Sequence, residues 1–195
     1  MAMDHDSLGE ERTLITKSLQ GDRDAFGRLI ERYADTVSRV MTRMVGNGAD
    51  AQDLAQDTFF KAYTSLSSFR QESKFSTWLY QIAMNKCRDW LRSKARKREE
   101  SVDTDEGSDN VVPRVELRAE GDPEQEVSRK QLALHLEEAI QALPEWYREA
   151  FILKHVEGLD YDEMATILNV NRDTLKMRVY KARVQLSRNL AWMKE

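Results

Sequence analysis

The sequence predicts an all-α protein of two small helical domains, and three observations predict it. Apolar residues recur at three- and four-residue spacing through most of the 195 residues. No run alternates apolar and polar residues over the length that a half-buried strand needs. Only three prolines and eight glycines punctuate the chain, and Gly107, Pro113, Gly121 and Pro123 fall together in one stretch that divides it.

On this periodicity, helices are expected over about 10–19, 22–45, 49–66, 74–97, 124–142, 145–156, 161–168 and 172–192. The length suits two modest domains, each near the lower end of independent stability. With 41% hydrophobic residues, both halves have material for a core. The single cysteine, Cys87, excludes an intramolecular disulfide and fits a reducing compartment; it reads as a small buried residue rather than a redox switch. No apolar run approaches the ~20 residues of a membrane span. The opening MAMDHDSLGEERT lacks a signal-peptide apolar stretch. A cytoplasmic protein without membrane insertion is expected.

Net charge is only −4, but its distribution matters more than its sum. Arg88 to Arg98 holds six basic residues against Asp89, and Arg172 to Arg188 six against Asp173. Between them, Glu99 to Glu126 holds eleven acidic residues against Arg114 and Arg118. Two basic patches thus flank an acidic segment, 99–123, which is expected to be a flexible, self-repelling linker.

The helix over 49–66 has two unlike faces. Ala51, Leu54, Ala55, Thr58, Phe59, Ala62 and Leu66 cluster on one, suited to burial. Asp50, Asp53, Gln56, Asp57 and Phe60 gather on the other. Carboxylates need no explanation on a solvated face; a large aromatic among them does.

The next segment, SFRQESKFSTWLYQIAMNKCRDWLRSKARKR, sets Phe69, Phe75, Trp78, Tyr80 and Trp90 among Arg70, Lys74, Lys86, Arg88 and Arg92. Aromatic faces for unstacked bases beside cations for a backbone suit single-stranded nucleic acid. Some of these aromatics must instead be core, and Trp78 is expected to be at least half buried.

In the C-terminal half, Gly158 ends a helix and Asp160 caps the next, with Glu163 positioned to complete a capping box. Met164, Ala165 and Leu168 face inward. Asn169-Val170-Asn171 forms a turn in which Val170 plugs the core and Asn171 caps the last helix. That helix puts Leu175, Val179, Ala182 and Leu186 on one face and Arg172, Lys176, Met177, Tyr180, Lys181 and Arg183 around the rest. A short helix, a three-residue turn and a long basic helix match a helix-turn-helix whose second helix enters the major groove. Lys176 and Lys181 can donate to guanine, Met177 and Tyr180 can meet thymine methyls or sugar, and the later arginines suit phosphates. The competing reading of this face is a solvated side of a bundle helix.

The motifs then fall into a known order. GD-x-x-AF (Gly21 to Phe26), D-x-x-DLAQ-D-x-F (Asp50 to Phe59), SFR…F-STWLY-x-IA-x-N-x-x-x-D-x-x-R (Ser68 to Arg92), LP…REAF-x-L (Leu143 to Leu153), EGL-x-Y-x-E-x-A (Glu157 to Ala165) and TLK-x-R-x-x-KAR (Thr174 to Arg183) together resemble the extracytoplasmic-function sigma factors of bacteria. The resemblance implies a sigma-two-like domain over 10–98 and a sigma-four-like helix-turn-helix domain over 124–195. The first would bind core RNA polymerase and the melted minus-ten element, and the second the duplex minus-thirty-five element. It implies that Asp50, Asp53, Gln56, Asp57 and Phe60 dock on the clamp helices of the largest polymerase subunit, with the flap as a second contact and an anti-sigma factor as a further partner.

The minus-ten set would be Phe69, Arg70, Lys74, Phe75, Trp78, Asn85, Arg88 and Arg92. Of these, Phe69 and Asn85 stand where family members contact the non-template strand, and the loop from Arg70 to Ser76 where a flipped base is held. The minus-thirty-five set would be Arg172, Thr174, Lys176, Met177, Tyr180, Lys181 and Arg183. This chain departs from the family pattern at Gln71, a position often held by glycine, and at Asp173 and Met177, where small residues are usual.

Two other readings stand beside this one. An ordinary helix-turn-helix regulator with a sensing domain would explain the C-terminal half alone. An enzyme is disfavoured: His5, His135 and His155 are scattered and make no metal spacing with Cys87, so neither a metal nor a cofactor is expected.

Overall fold

The computed structural model describes residues 5–46, 48–100 and 123–190, so most of the expected linker lies outside the described residues. Its elements are α1 (His5–Leu19), α2 (Arg23–Val45), α3 (Ala49–Ser65), a 3-10 turn (Leu66–Ser68), α4 (Phe75–Glu100), α5 (Pro123–Gln141), α6 (Glu145–Phe151) running into a π turn (Ile152–Val156), α7 (Tyr161–Leu168) and α8 (Arg172–Asn189). Among the described residues there is no strand. None of their helices is long and apolar enough to cross a membrane.

Local chemistry sets the joints. The Gly21-Asp22 pair separates α1 from α2. Gly21 takes φ +93°, which L side chains rarely adopt. The Asp22 carboxylate then accepts from the Asp24 and Ala25 backbone N–H groups, both at 3.0 Å, and starts α2. Two differences from the sequence expectation are informative. Helix α4 continues through Glu100, three residues past the expected end, because nothing in Arg98-Glu99-Glu100 breaks a helix. The helix expected over 145–156 is not uniform: its last turn widens, with the Glu157 N–H donating to the Ile152 carbonyl at 3.0 Å.

The N-terminal bundle buries Leu29, Val37, Val40, Met41 and Met44 of α2 against Leu54 and Ala62 of α3 and Leu79, Ala83, Met84 and Cys87 of α4. The C-terminal bundle buries Ala150, Ile152, Leu153, Met164, Ile167, Leu175, Val179 and Ala182. Full burial of each large aliphatic side chain contributes about 1.5–3 kcal/mol, so each half holds a core of its own. The halves also touch. Helix α7 lies against α4, and α5 and α6 lie against α2, so the buried apolar side chains form one continuous cluster.

Candidate nucleic-acid interface

The acidic stripe stands open. Asp50, Asp53, Gln56, Asp57 and Phe60 are all exposed, Phe60 to 70%. The other face of α3 is buried as its periodicity requires, with Ala51, Leu54, Thr58 and Ala62 in the core. A shallow cleft of about 390 Å³ runs beside the stripe, lined by Asp50, Asp53, Leu54, Gln56, Asp57 and Trp90. Lys86 reaches Asp57 across it at 3.1 Å, and Lys94 sits 4.4 Å from the Trp90 ring centroid. Trp90 therefore belongs beside the carboxylates, not with the strand-facing aromatics. The signal is in the sequence: Lys86, Trp90 and Lys94 recur every four residues, turned away from Asn85 and Arg92.

Helix α4 carries the second surface. At 100° per residue, Lys74, Trp78, Asn85, Arg88 and Arg92 fall within one narrow stripe. Asn85 and Arg92 are exposed, as are Lys74 and Arg70 in the preceding loop. Gln71, at the position where glycine is common, takes φ +57°, so the loop keeps the left-handed backbone despite the side chain.

Two expected contacts need correction. Phe69 and Phe75 are 6% and 3% exposed and present no face to solvent. Their rings lie 5.6 Å apart, Phe69 lies 5.3 Å from Trp78, and Phe75 lies 5.5 Å from Tyr33. Aromatic packing, not base stacking, occupies them; they hold the loop and the start of α4 in place. Trp78 is mostly buried on the same cluster, as expected.

Two cations of this surface, Arg88 of α4 and Lys74 of the loop before it, are already engaged by the C-terminal half. Arg88 makes a bidentate pair with Glu149, Nε to Oε1 at 2.5 Å and Nη2 to Oε2 at 2.8 Å. Lys74 Nζ lies 2.6 Å from Glu163 Oε1, and the Tyr80 hydroxyl donates to Glu157 Oε2 at 2.6 Å. The Glu163 hydrogen bond and charge raise the Lys74 pKa, and burial, then Glu157, raises that of Tyr80. No local pattern points to these partners, which stand 61 to 89 positions apart in the sequence.

The helix-turn-helix forms by the expected local chemistry. The Asp160 carboxylate accepts from Asp162 and Glu163 backbone N–H groups at 2.9 and 2.8 Å, while Glu163 Oε2 accepts from the Asp160 N–H at 3.2 Å. These backbone hydrogen bonds, that from Glu163 foremost, hold the Asp160 carboxyl below its usual range. Asn169 closes α7 at φ +53°, and Asn171 Oδ1 accepts from the Thr174 N–H at 2.8 Å to start α8. Leu175, Val179, Ala182 and Leu186 are buried. Arg172, Lys176, Met177, Tyr180, Lys181 and Arg183 are exposed, with Thr174 partly so. Met177 and Tyr180 are open to 52% and 63%, large apolar surfaces on an otherwise polar face. In the free protein Arg172 pairs with Asp162 at 3.1 Å and Lys176 with Asp173 at 3.2 Å.

The surfaces on α3, α4 and α8 can be set beside proteins of known kind. Residues 29–97 match the family model for sigma-70 region 2, and residues 134–186 that for sigma-70 region 4. The chain is 33% identical over 180 residues to the ECF RNA polymerase sigma-E factor of Haemophilus influenzae, covering 92% of this chain and 95% of that one. It is 35% identical over 178 residues to the ECF RNA polymerase sigma factor SigW of Bacillus subtilis, covering 90% and 94%. Among solved structures, the sigma factor RpoE of Bartonella quintana, crystallised with the anti-sigma factor NepR, superimposes with a TM-score of 0.68. That match is at 25% identity and covers 85% of this chain and 96% of that one.

Proposed function

The chain belongs to the extracytoplasmic-function sigma factors of RNA polymerase, and on that premise we propose how its three surfaces divide the work of promoter-specific transcription initiation. The α3 stripe is the dock for core polymerase. Asp50, Asp53 and Asp57 complement basic residues and steer the encounter, and Phe60 is the desolvated anchor at the centre. Gln56 completes the stripe, and Trp90 forms its far wall.

The α4 stripe and the loop before it receive the melted non-template strand. Arg70, Lys74, Arg88 and Arg92 track phosphates, Asn85 offers a base-edge hydrogen-bond pair, and Trp78 supplies the edge of an aromatic platform. Phe69 and Phe75 position that platform from below.

Helix α8 reads duplex DNA. Lys176 and Lys181 face guanine acceptors, and Met177 and Tyr180 give apolar contact. Arg172 and Arg183 hold phosphates, and Thr174 fixes the helix N-terminus. The chain contributes recognition and strand capture, and the chemistry of RNA synthesis stays with the core enzyme. An anti-sigma factor, of the kind seated on the Bartonella relative, is a further partner, and the protein works in the cytoplasm.

The observation that carries this reading is the 70% exposed Phe60 on the same open face as Asp50, Asp53 and Asp57, on a helix whose other face is core. The test is Asp53→Arg with Asp57→Arg. The double variant is expected to fold, since both side chains are exposed, and to lose co-purification with core polymerase together with run-off transcription. Retention of core at wild-type levels would overturn the docking assignment.

A further inference from the structure

We infer that Glu11 of α1, acting through Tyr33 of α2, is a positioning residue for strand capture: the pair fixes the aromatic seat on which both ends of the base-holding loop rest. The inference rests on the reading of α4 and the loop before it as the strand-binding face.

An acid occupies a core position of α1. The buried face of that helix is Glu11, Leu14, Ile15 and Ser18, at helical spacing. An apolar side chain at position 11 would complete this face with no charge to desolvate. Instead a carboxylate stands there, 6% exposed. The Tyr33 hydroxyl, itself buried, donates to Glu11 Oε2. Burial, then the Glu11 hydrogen bond and charge, raises the Tyr33 pKa, so the hydroxyl keeps its proton and stays a donor. Removing Glu11 takes from this buried hydroxyl the acceptor it has here, which costs more than the bond alone is worth.

Tyr33 carries the bond to the loop. Its ring lies 5.5 Å from that of Phe75, the first residue of α4. Phe75 meets Phe69 edge to face at 5.6 Å, and the two lie 5.6 and 5.3 Å from Trp78. Phe69 is the residue on which the 3-10 turn ends. Two buried rings of one cluster therefore pin the two ends of the loop over 70–74, and Tyr33 ties that cluster to α1.

The loop needs such a seat. Gln71 holds φ +57°, a left-handed backbone that a side chain other than glycine keeps only where its surroundings impose it. Arg70, Gln71, Glu72, Ser73 and Lys74 are all exposed, so the order of the loop comes chiefly from its ends. Extruding a base already costs free energy, and a loop that must also be ordered at that moment would add to the cost. A Tyr33 hydroxyl without its acceptor is drawn toward water, its ring tilts from Phe75, and the pin at the start of α4 loosens. Glu11 thus acts on the loop from a helix that the strand-binding face does not include.

The test uses the full-length protein as wild type, E11A and E11Q. Glutamine keeps an acceptor for the Tyr33 hydroxyl, and alanine removes it. Backbone amide NMR relaxation over 70–74 reads the seat. Wild type and E11Q are expected to show order parameters of about 0.85, and E11A below about 0.6, with the α3 and α8 amides unchanged. A loss of stability without a loss of position would lower the melting temperature and leave these values alone. Each form is then bound to core polymerase and offered a random-sequence pool of single-stranded DNA, with core alone as background. The E11A holoenzyme should lose roughly tenfold of the base preference at one position and keep the rest. If E11A loses its helical circular dichroism, E11L, which fills the site with apolar volume, carries the same expectation. A loop as ordered in the variant as in wild type overturns the inference. So does an E11Q loop as loose as that of E11A, or an unchanged base preference on a loosened loop. If the loop loosens as expected and wild-type holoenzyme selects no base beyond core alone, the strand-face assignment falls, and strand capture by this loop with it.

Discussion

At the scale of single residues, spacing placed side chains on the right face of a helix but could not always say what covers that face. Phe60 and Phe75 show the limit. Both sit near acidic or basic neighbours in the sequence, yet Phe60 is 70% exposed and Phe75 is 3% exposed. Phe60 lies opposite an apolar helix face, which its own helix reveals. Phe75 is buried by Tyr33, from a helix far earlier in the chain, and no local pattern shows that. Cys87 was readable, since it falls on the apolar side of α4. It is fully buried, 3.2 Å from the Met41 sulfur, and burial, then the charge of Glu149, pushes its thiol up to about 12. The thiolate is the nucleophile, so at pH 8 the native protein should react with a disulfide reagent at least about 100-fold more slowly than the unfolded chain. Stoichiometric labelling of folded protein within seconds would show that the α2–α4 packing opens far more readily than this burial implies.

At the scale of elements, the helix-turn-helix was the most legible part, because its joints are made by residues next to one another. Asp160, Glu163, Asn169 and Asn171 act within three or four positions of the groups they satisfy. The π turn was not legible: a continuous α-helix over 145–156 fits the same periodicity. Removing the cap tests the local account. Asp160→Ala should cost about 1 kcal/mol near neutral pH, read from the urea midpoint. The sign of its pH dependence follows from the depressed Asp160 pKa. A lowered folded value stabilises above the unfolded value and is lost as pH falls through the folded one. The gap between variant and wild type should therefore narrow below the ordinary value near 3.8. A gap that instead widened in acid would mean that the carboxylate is not what starts α7.

At the scale of the whole molecule, the two-domain division was foreseeable and the contact between the halves was not. The acidic stretch and its prolines and glycines divide the chain wherever one looks. The pairs that join the halves are separated by 61 to 104 positions, among 34 acidic and 30 basic residues, so composition cannot choose between partners. Geometry does choose. Arg148 of α6 donates to carbonyls of both bundles: Met44 on one side, Gln141 and Leu143 on the other. Its burial lowers its pKa without removing its charge, so the guanidinium remains a cation fixed between two helix ends. Such a side chain couples the melting of the halves. Wild type should therefore unfold in a single calorimetric transition, with calorimetric and van't Hoff enthalpies equal. Arg148→Ala leaves those carbonyls to water and should destabilise the α5–α6 half by on the order of 3 kcal/mol. It should also split the transition in two, the later one carrying the α1–α4 bundle, which keeps its own core. If the variant still melts as one unit, the continuous apolar contact between α4 and α7 couples the halves without the polar seam. The halves would then be held together by packing rather than by charge, and high salt would not part them.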